Sequence, residues 1–551
     1  MASVEAPAAP AMTDKEQRLA RNFAEYESYI VKAQDFLAQG DLQTAAAYCA
    51  IASHIVTQNH AGIFWSPRAE KVLNEIGRRL EPEAPARPRP AKIKRILQVC
   101  TQVSAVGGHT KMLCQWVRAD KDREHTLVLT EHRGPTPQFV HDVFEASGGR
   151  KVEKLNHRPS SQIDWALRLR EIAKDFDLVI LHTHCEDIVP LIAFADPSKH
   201  PPVLVLNHAD HLFWYGPSVA HLNINLRDAA QDIAIARRGI APERNILMPT
   251  LAEGIVRTRS REEAKRELGI DPDTVLLVSA ARRAKYRTMG GVTYADIHAD
   301  VLKQHENAML ITVGAGEHED WAPVQAAVNG RLRSIAETPN PKVYFEAADI
   351  YVDSFPFVSS TSLMEAAGYG TPLVTIFTYP QQARIFGINH VALVGNVMQA
   401  TSFDQYRAVL TQLIADPDLR EKLGAEARTA VQREHNLPGW LRWMENVYAR
   451  ALELPTLDNR QMLEAIERPY FGEPDIRHED IFGGAWPTIR VVMSYIGMMP
   501  AKQHLAHWKQ VRREGCFKSH AEAASYLFPE WLKRFVKDGV LKLPEEVTFS
   551  G

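Results

Sequence analysis

YVDSFPFVSSTSLMEAAGYGTPLVTIFTYP, residues 351–380, is the stretch that decides the fold. It predicts, in chain order, a short strand over 349–353, a loop of small hydroxyl residues at 359–362, a helix that ends by Gly370, and a strand over 371–376. Hydroxyls and free backbone N–H groups at a helix start favour a phosphate, because the helix dipole is positive there. A nucleoside diphosphate is therefore the implied ligand.

An acidic residue, Glu365, lies near the start of this predicted helix. A carboxylate at that position is placed to accept hydrogen bonds from a ribose, as acidic residues do in other nucleotide-binding folds. A structural strand–turn–helix unit with a serine cap and no ligand is the alternative interpretation. The candidate donor-binding residues of this segment are Ser359, Ser360, Thr361, Ser362 and Glu365.

The segment resembles the donor-binding segment of GT-B glycosyltransferases, where a small polar loop, a helix with an acidic residue and G-x-P-V-[VT] follow a strand ending in Asp or Pro. The retaining, glycogen-synthase-like branch places a Glu eight positions before the helical acid, where this chain has Phe357. The loop, Glu365 and the motif GTPLVT at 370–375 are more similar to the group of O-GlcNAc transferase and the bacterial protein glucosyltransferases. Glycosyltransferase family 4-like proteins are a further resemblance.

The resemblance implies an α/β protein of GT-B architecture, in which two Rossmann-like domains with doubly wound parallel sheets face a cleft, with helical additions at both termini. The N-terminal addition, residues 1–90, is predicted to hold a disordered start, one helical hairpin of tetratricopeptide type and a Pro-rich linker. An acceptor domain (91–250), a nucleotide-sugar domain (251–455) and a helical extension (456–551) follow. The extension fits either a lid or a contact for homo-oligomerisation.

Composition excludes several classes of protein. Of the 551 residues, 45% are hydrophobic and 24% are charged, as in soluble globular proteins. The net charge of -3 gives no case for nucleic-acid binding. No apolar run reaches the roughly 18 residues that cross a bilayer, and the N-terminus lacks the pattern of a signal peptide. The five scattered cysteines, without a C-x-x-C pair, predict a reduced, cytoplasmic protein without a zinc site.

The first predicted α/β domain opens with a strand over 94–100 that runs into Gly107, Gly108 and His109. Two glycines between a strand and a helix let the backbone approach a ligand closely and place N–H groups at a helix start. A tight turn without a ligand is the alternative. By the resemblance, the two glycines face the donor, and His109 lies where the acceptor or the leaving phosphate meets the loop.

Polar clusters end two further predicted strands, at 182–187 and 207–211. The carboxyl ends of parallel strands form the ligand crevice of such a sheet, so both clusters are expected to face one cleft. The candidate catalytic bases are His109, His208 and Asp210. A metal site is the alternative, but no pair has the i, i+4 helical spacing of a zinc protease, and no metal is predicted.

The second predicted α/β domain opens with a strand over 274–280, followed by four cations within 282–287. So much like charge at one strand end needs a counter-charge, which a diphosphate would supply. By the resemblance, Arg282 and Lys285 neutralise the departing nucleoside diphosphate, and Lys285 is catalytic. Further along the chain, residues 342–346 are predicted to form a strand.

The function implied is that of a glycosyltransferase, a hexosyltransferase of class EC 2.4. It would move a sugar from a nucleoside-diphosphate donor, UDP-linked by the resemblance, to a glycan or protein acceptor, without a metal or other cofactor. A base in the first domain would deprotonate the acceptor hydroxyl while Arg282 and Lys285 stabilise the leaving diphosphate. A sugar-nucleotide epimerase of the same fold and an inactive helical-repeat interaction protein are the alternatives.

Overall fold

The computed structural model of the chain describes residues 12–81, 83, 85–105, 108–157, 160–252, 254–338, 340–483, 486–530 and 532–533. The first eleven residues of the predicted disordered start, the predicted donor residue Gly107 and residues 534–551 of the predicted extension lie outside the described residues. The described part contains a seven-stranded and a six-stranded sheet with helices around them.

The strands are short, and most of them are buried along their length. In chain order they are β1 (Arg95–Cys100), β2 (Glu124–Leu129), β3 (Glu153–Lys154), β4 (Leu178–His182), β5 (Val203–Asn207), β6 (Leu222–Asn225), β7 (Asn245–Leu247), β8 (Val275–Ala280), β9 (Ala308–Val313), β10 (Leu332–Ile335), β11 (Ile350–Val352), β12 (Leu373–Ile376) and β13 (Met398–Ala400).

The helices lie before, between and after these strands. In chain order they are α1 (Asp14–Ala38), α2 (Leu42–Gln58), α3 (Pro67–Arg79), α4 (Gly108–Ala119), α5 (Gln138–Ala146), α6 (Gln162–Ala173), α7 (Val189–Ala193), α8 (Asp228–Arg238), α9 (Arg261–Glu267), α10 (Tyr294–Gln304), α11 (Ala322–Ala327), α12 (Lys342–Ala347), α13 (Ser360–Gly368), α14 (Phe403–Ala415), α15 (Pro417–His435), α16 (Leu437–Glu453), α17 (Arg460–Leu463), α18 (Asp475–Phe482), α19 (Thr488–Tyr495), α20 (Ala501–Arg513) and α21 (His520–Ser525). None of the described helices combines the length and the apolar character that crossing a bilayer requires.

Both sheets are doubly wound. The first has the strand order β3-β2-β1-β4-β5-β6-β7, and the second has the order β10-β9-β8-β11-β12-β13. Strand β1 pairs in parallel with β2 and β4, and β8 pairs in parallel with β9 and β11. Each order reverses beside the first strand of its sheet, which is the point where such folds bind ligands. The predicted class, α/β with two doubly wound parallel sheets, is confirmed.

The central strands follow from their sequences. All six residues of β8, VLLVSA, are buried, as is expected of a parallel strand covered on both faces by helices. The side chains of β8 alternate between two apolar clusters, with Leu277 in one and Leu276 and Val278 in the other. Burial on both faces therefore fixes the position of this strand in the middle of its sheet.

The predicted strand at 342–346 is wrong, because this segment forms helix α12. A short apolar run does not distinguish a strand from a helix by its periodicity, so tertiary contacts decide. The carboxylate of Glu346 is buried, and it accepts hydrogen bonds from Arg259 at 2.7 Å and from the hydroxyl of Thr258 at 3.0 Å. Pro341, at the N-cap, favours a helix start at this point.

The chain divides into two compact units. The first comprises the described residues of Met1–Asn223, Ala234–Asn245 and Arg450–Gly551, and the second comprises those of Ile224–Ile233 and Ile246–Ala449. The N-terminal helices and the C-terminal extension therefore both belong to the unit that holds most of the first sheet. The predicted domain boundaries at 91, 251 and 456 stay predictions.

Helices α1 to α3 are joined to the rest of the first unit by a buried carboxylate. Glu70, in α3, accepts the backbone N–H groups of Gly216 at 2.6 Å and Ser218 at 2.8 Å. Burial raises the pKa of Glu70 to about 7, although these hydrogen bonds oppose the shift. Because an unpaired buried acid would be costly, this contact fixes α3 against the turn after β5.

The C-terminal extension packs into the same core. Val491, Val492 and Tyr495 of α19 belong to the apolar cluster that also contains the buried face of α2. The hydroxyl of Tyr495 lies 3.2 Å from Nδ1 of His54, at the edge of this contact. Within the first unit the extension is therefore part of the core, while the predicted homo-oligomer contact stays a prediction.

Candidate functional site

A buried aspartate at the end of β11 organises the loop that leads into α13. Asp353 is 2% exposed, and its Oδ1 accepts the backbone N–H groups of Ser354 and Ser359 at 2.9 Å each. Burial raises the pKa of Asp353 to about 7, against the opposing effects of the Ser359 N–H and of Lys285. Asp353 thus holds the backbone at Ser354 and Ser359, and residues 353–362, here called the hydroxyl loop, lead from there into the first residues of α13.

The hydroxyls predicted to bind the donor lie at the start of α13. Ser359 occupies the N-cap without a side-chain capping bond, and its hydroxyl lies 3.1 Å from that of Ser362. Thr361 is exposed, and Ser360 and Ser362 are half-buried. The first N–H groups of a helix have no partner inside it, so the loop offers both hydroxyls and backbone donors to an anion.

Lys285 is the predicted cation that turns toward the hydroxyl loop. Its Nζ donates to the backbone carbonyl of Val358 at 2.9 Å and lies 5.0 Å from the ring centroid of Phe357. Burial lowers the pKa of Lys285 to about 8, partly offset by the charge of Asp353, so the ammonium form still dominates at pH 7. The strand end of β8 therefore presents a positive charge to the start of α13.

The other predicted cations of this strand end are exposed. Arg282 precedes the short turn that contains Lys285, and its charge helps to lower the pKa of that lysine. Arg283 donates to the backbone carbonyl of Glu317, away from the hydroxyl loop. Lys285 therefore contacts the hydroxyl loop directly, and Arg282 lies close enough to lower the pKa of Lys285.

Sequence inspection missed a second cation, Arg227. It is 4% exposed, donates to the backbone carbonyl of Gly387 at 3.1 Å, and lowers the pKa of Lys285 through its charge. Arg227 belongs to the second unit although it follows β6, more than fifty residues before Lys285. A single arginine after a strand carries no signal that could have found it from the sequence.

The predicted ribose acceptor, Glu365, lies in α13, five residues after the helix begins. Its side chain is half-buried, and its charge contributes, after burial, to raising the pKa of Tyr369 to about 12. Glu365 therefore lies on the same helix as the hydroxyls of residues 360–362, one turn further from the helix start. Its role toward a ribose stays a prediction.

The first unit gathers four histidines at the strand ends of its sheet. The rings of His109 and His208 stack with centroids 4.4 Å apart, and the centroid of His109 lies 6.1 Å from that of His182 and 6.4 Å from that of His184. The predicted candidates His109 and His208 are therefore neighbours. The predicted cluster at 182–187 supplies the other two rings.

Burial and the neighbouring imidazoles of His208 and His182 hold the pKa of His109 well below its usual range. Burial likewise lowers the pKa of His208 to about 4. His109 donates from its ring to the backbone carbonyl of His182, while its Nε2 has no hydrogen-bond partner within the described ranges. His109 is therefore neutral at pH 7, with a lone pair on Nε2 that can accept a proton.

His184 differs from the other rings of the cluster. Burial acts to lower its pKa, but the Glu186 carboxylate, 3.8 Å from Nδ1, gives a net upward shift. In return, the pairing with His184 outweighs burial and holds the pKa of Glu186 at about 2. The cluster thus combines neutral rings with one ring that is stabilised in its charged form.

Asp210, the third predicted base, is buried in a different environment. Its Oδ1 lies 3.3 Å from Nδ1 of His211, and its backbone carbonyl accepts a hydrogen bond from Arg238 at 2.9 Å. The buried Arg238 guanidinium lies 4.8 Å from the ring centroid of Trp214. These contacts give Asp210 a structural environment, and a catalytic role for it stays a prediction.

Of the two glycines predicted to bind the donor, only Gly108 is among the described residues. Gly107 lies outside the described residues, and Gly108 is the first residue of α4. A Cβ added at Gly108 would meet no described atom within 4 Å, so packing does not require glycine there. A donor-binding role for Gly107 and Gly108 stays a prediction.

The described residues contain no group of three or more His, Cys, Asp and Glu side chains that could hold a metal ion. The four histidines are therefore not arranged as a metal site. In the second unit, a side-chain cation and the first N–H groups of a helix lie together around Lys285 and α13, where they can bind an anion. A proton acceptor is available in the first unit at His109.

No protein-family model matches the sequence, and no curated protein sequence matches it. Several solved structures are similar to the chain. HepE of Anabaena, in complex with UDP and glucose, is 15% identical, with a TM-score of 0.48 over 65% of this chain and 100% of that chain. A mutant O-GlcNAc transferase of Thermobaculum terrenum is 13% identical, with a TM-score of 0.48 over 80% and 85% of the two chains.

A glycosyltransferase of Rickettsia africae is 12% identical to the chain, with a TM-score of 0.49 over 66% of this chain and 99% of that chain. These TM-scores lie below 0.5, and the identities do not exceed 15%. Similarity at this level does not assign chemistry to individual residues. The chemistry of the chain is therefore inferred from its own geometry.

Proposed function

We propose that the chain is a glycosyltransferase that uses a nucleoside-diphosphate sugar. The observation that carries the proposal is the position of Lys285, whose ammonium group lies on the hydroxyl loop at the start of α13. A cation, the four hydroxyls of residues 359–362 and the first N–H groups of a helix together are suited to a diphosphate, because each stabilises negative charge. The second unit binds the donor in this proposal.

The reaction proposed is transfer of a hexosyl group to a hydroxyl of a glycan or protein acceptor. The bond between the anomeric carbon and the diphosphate oxygen breaks, a bond to the acceptor oxygen forms, and the acceptor proton passes to a base. His109 Nε2 is the proposed base, because it carries a buried lone pair with no partner in the described part of the chain. Lys285 and Arg282 stabilise the leaving diphosphate.

The proposed donor is UDP-linked, and the first test is a thermal-shift panel of UDP, GDP, dTDP and CMP. We expect a nucleoside diphosphate to raise Tm and CMP, with one phosphate, to raise it less, because binding to the folded state alone stabilises it. No shift with any diphosphate would contradict the proposal and favour an inactive interaction protein. An epimerase would bind UDP too, but it would convert the nucleotide sugar without an acceptor.

Replacing Glu365 by alanine should weaken nucleotide binding while leaving the fold intact. Hydrogen bonds to a charged group contribute about 1.5–3 kcal/mol, so the loss of those to a ribose corresponds to roughly tenfold or more in affinity. Calorimetric titration of the nucleotide measures this directly. Glu421→Ala, at an exposed position on α15, is the matched control and should bind like the parent. Equal affinity in the Glu365→Ala variant would remove this residue from the site.

Turnover should survive removal of divalent metal ions. The proposed site balances the charge of the leaving group with Lys285, Arg282 and the N-terminus of α13, so no Lewis acid is needed. The measurement is the transfer rate before and after treatment with EDTA, with added Mg²⁺ or Mn²⁺ as the control. Abolition of turnover by EDTA and its recovery with either metal would contradict a metal-independent reaction.

A further inference from the structure

Three polar side chains lie buried in a diagonal line across the middle of the first sheet. They are Gln98 on β1, His125 on β2 and His182 on β4, each with no exposed surface. His125 pairs in register with Ile96, and His182 with Cys100. Positions 96, 98 and 100 face the same side of a strand, so the three side chains share one face of the sheet.

This face is otherwise apolar. Cys100, Leu127 and Leu129 of the same strands pack there against Leu113 and Val117 of α4. Polar groups buried in such a layer are costly unless they are hydrogen-bonded to one another. The His182 Nε2 lies 2.7 Å from Gln98 Oε1, and the Gln98 Nε2 lies 3.0 Å from His125 Nδ1.

The line ends at an ion pair between Asp120 and Arg123, which lie just before β2 in the chain. His125 Nε2 lies 3.1 Å from Oδ2 of Asp120, and Arg123 donates to Oδ1 of the same carboxylate at 3.0 Å. Asp120, His125, Gln98 and His182 are here called the buried relay. It joins the loop between α4 and β2, where Asp120 lies, to the strand-end histidine cluster.

The direction of every hydrogen bond in the buried relay follows from its acidic end. A carboxylate only accepts, so His125 must donate from Nε2, and in the neutral ring its Nδ1 then carries a lone pair. Gln98 must present its NH₂ group to that lone pair and its carbonyl oxygen to His182. His182 therefore donates from Nε2, which leaves its Nδ1 unprotonated in the neutral ring.

The Nδ1 atom of His182 is buried and has no hydrogen-bond partner in the described part of the chain. The ring centroid of His182 lies 6.1 Å from that of His109, whose ring donates to the His182 backbone. A lone pair on Nδ1 opposes a proton arriving on a neighbouring imidazole less than an N–H group on the same atom would, because the N–H hydrogen carries a partial positive charge.

We propose that Asp120, Gln98 and His125 are positioning residues that hold His182, a neighbour of His109, in its Nε2-protonated tautomer, so that its Nδ1 carries a lone pair. The tautomer of His182 follows from the hydrogen bonds of the relay, whatever reaction the protein catalyses. Its catalytic consequence, assistance to His109 as the base, rests on the proposed function. The relay thus extends the candidate site from the strand ends to Asp120.

Asp120→Asn tests the proposal at the far end of the relay. Arg123 is donor-only, so it holds the oxygen of the new amide, and the NH₂ group then faces His125. We expect the donor and acceptor roles of His125 and Gln98 in their hydrogen bonds to reverse. His182 should then become protonated on Nδ1. Nitrogen-15 NMR of histidine-labelled protein reports the tautomer, with the His182 signals assigned by their loss in His182→Gln. An unchanged His182 tautomer in Asp120→Asn would overturn the proposal.

Two further variants separate the relay from general effects. Asp142→Asn makes the same change in charge in the same cavity of about 250 Å³ that Asp120 lines, and it should leave His182 unchanged. Gln98→Met interrupts the relay, so adding Asp120→Asn to it should not change the His182 tautomer further. A changed His182 tautomer in Asp142→Asn would contradict the proposal that the hydrogen bonds of the relay set this tautomer. So would a further change of the tautomer when Asp120→Asn is added to Gln98→Met.

The catalytic consequence is measured separately. In Asp120→Asn we expect kcat to fall about tenfold, the scale of one lost hydrogen bond, with an unchanged KM for the donor. A reversed tautomer with parental kcat would overturn the assistance to His109 while leaving the relay standing. If the parent protein transferred no sugar, the proposed function would fail, yet the NMR result would still decide the relay.

Discussion

The Lys285→Ala variant should lose about 10²- to 10³-fold in kcat, the range seen when one preorganised electrostatic contact is deleted. Lys285 contacts the hydroxyl loop through the carbonyl of Val358. Its charge becomes most useful as the diphosphate departs, so its removal should lower kcat more than it raises KM for the donor. Steady-state kinetics with varied donor concentration measures both constants.

Matched variants test whether this effect belongs to the site. Lys303→Ala, at an exposed position on α10, removes one lysine from the same unit and should keep parental kinetics. Arg282→Ala should resemble Lys285→Ala, and the double variant should lose less than the sum, because both cations act on one charge. Near-parental turnover of Lys285→Ala with an unchanged Tm would show that the lysine only solvates a turn.

The His109→Gln variant should lose about 10²- to 10⁴-fold in kcat, which is the usual contribution of a positioned general base. Glutamine keeps a polar side chain beside the ring of His208 but has no basic nitrogen. Nucleotide affinity should stay close to parental, because Lys285 and the hydroxyl loop, which are proposed to hold the diphosphate, lie in the second unit. Transfer kinetics and calorimetric titration on the same preparation measure the two effects.

His520→Gln, at an exposed position on α21, makes the same substitution away from the cluster and should leave turnover unchanged. His208→Gln tests the other candidate base, whose ring stacks on that of His109. A larger loss of kcat in His208→Gln than in His109→Gln would transfer the role of base to His208. Parental turnover in both variants would exclude a base at this stacked pair.

The fold was predictable where strands are short, apolar and interrupted by loops with strong helix-start signals. The strand, loop, helix and strand of the segment 351–380 were predicted in the right order, because the hydroxyl residues and Gly370 mark the start and the end of its helix. Residues 342–346 were mispredicted because the contact between Glu346 and Arg259, which stabilises the helix, joins positions nearly ninety residues apart. The local pattern of apolar and polar residues does not reveal contacts between positions so far apart in the sequence.

The candidate site was predictable to the extent that its residues cluster in sequence. The strand-end cations and the hydroxyls of residues 359–362 form visible runs, and the structure joins them through Lys285. Arg227, Asp353 and Gln98 were missed as functional residues because each is a single polar residue at or near a strand. Their roles arise from burial beside charged or hydrogen-bonding partners, which only the tertiary structure supplies.

Calorimetric titration of the intact protein with UDP and with UMP tests the central claim most directly, since the two ligands differ by the phosphate that Lys285 and α13 would hold. We predict that UDP binds about tenfold or more tightly than UMP, the scale of one or two hydrogen bonds between charged groups, and that Lys285→Ala removes most of the difference. Equal affinities of the parent protein for UDP and UMP, or a preference for UDP that survives in Lys285→Ala, would contradict this assignment.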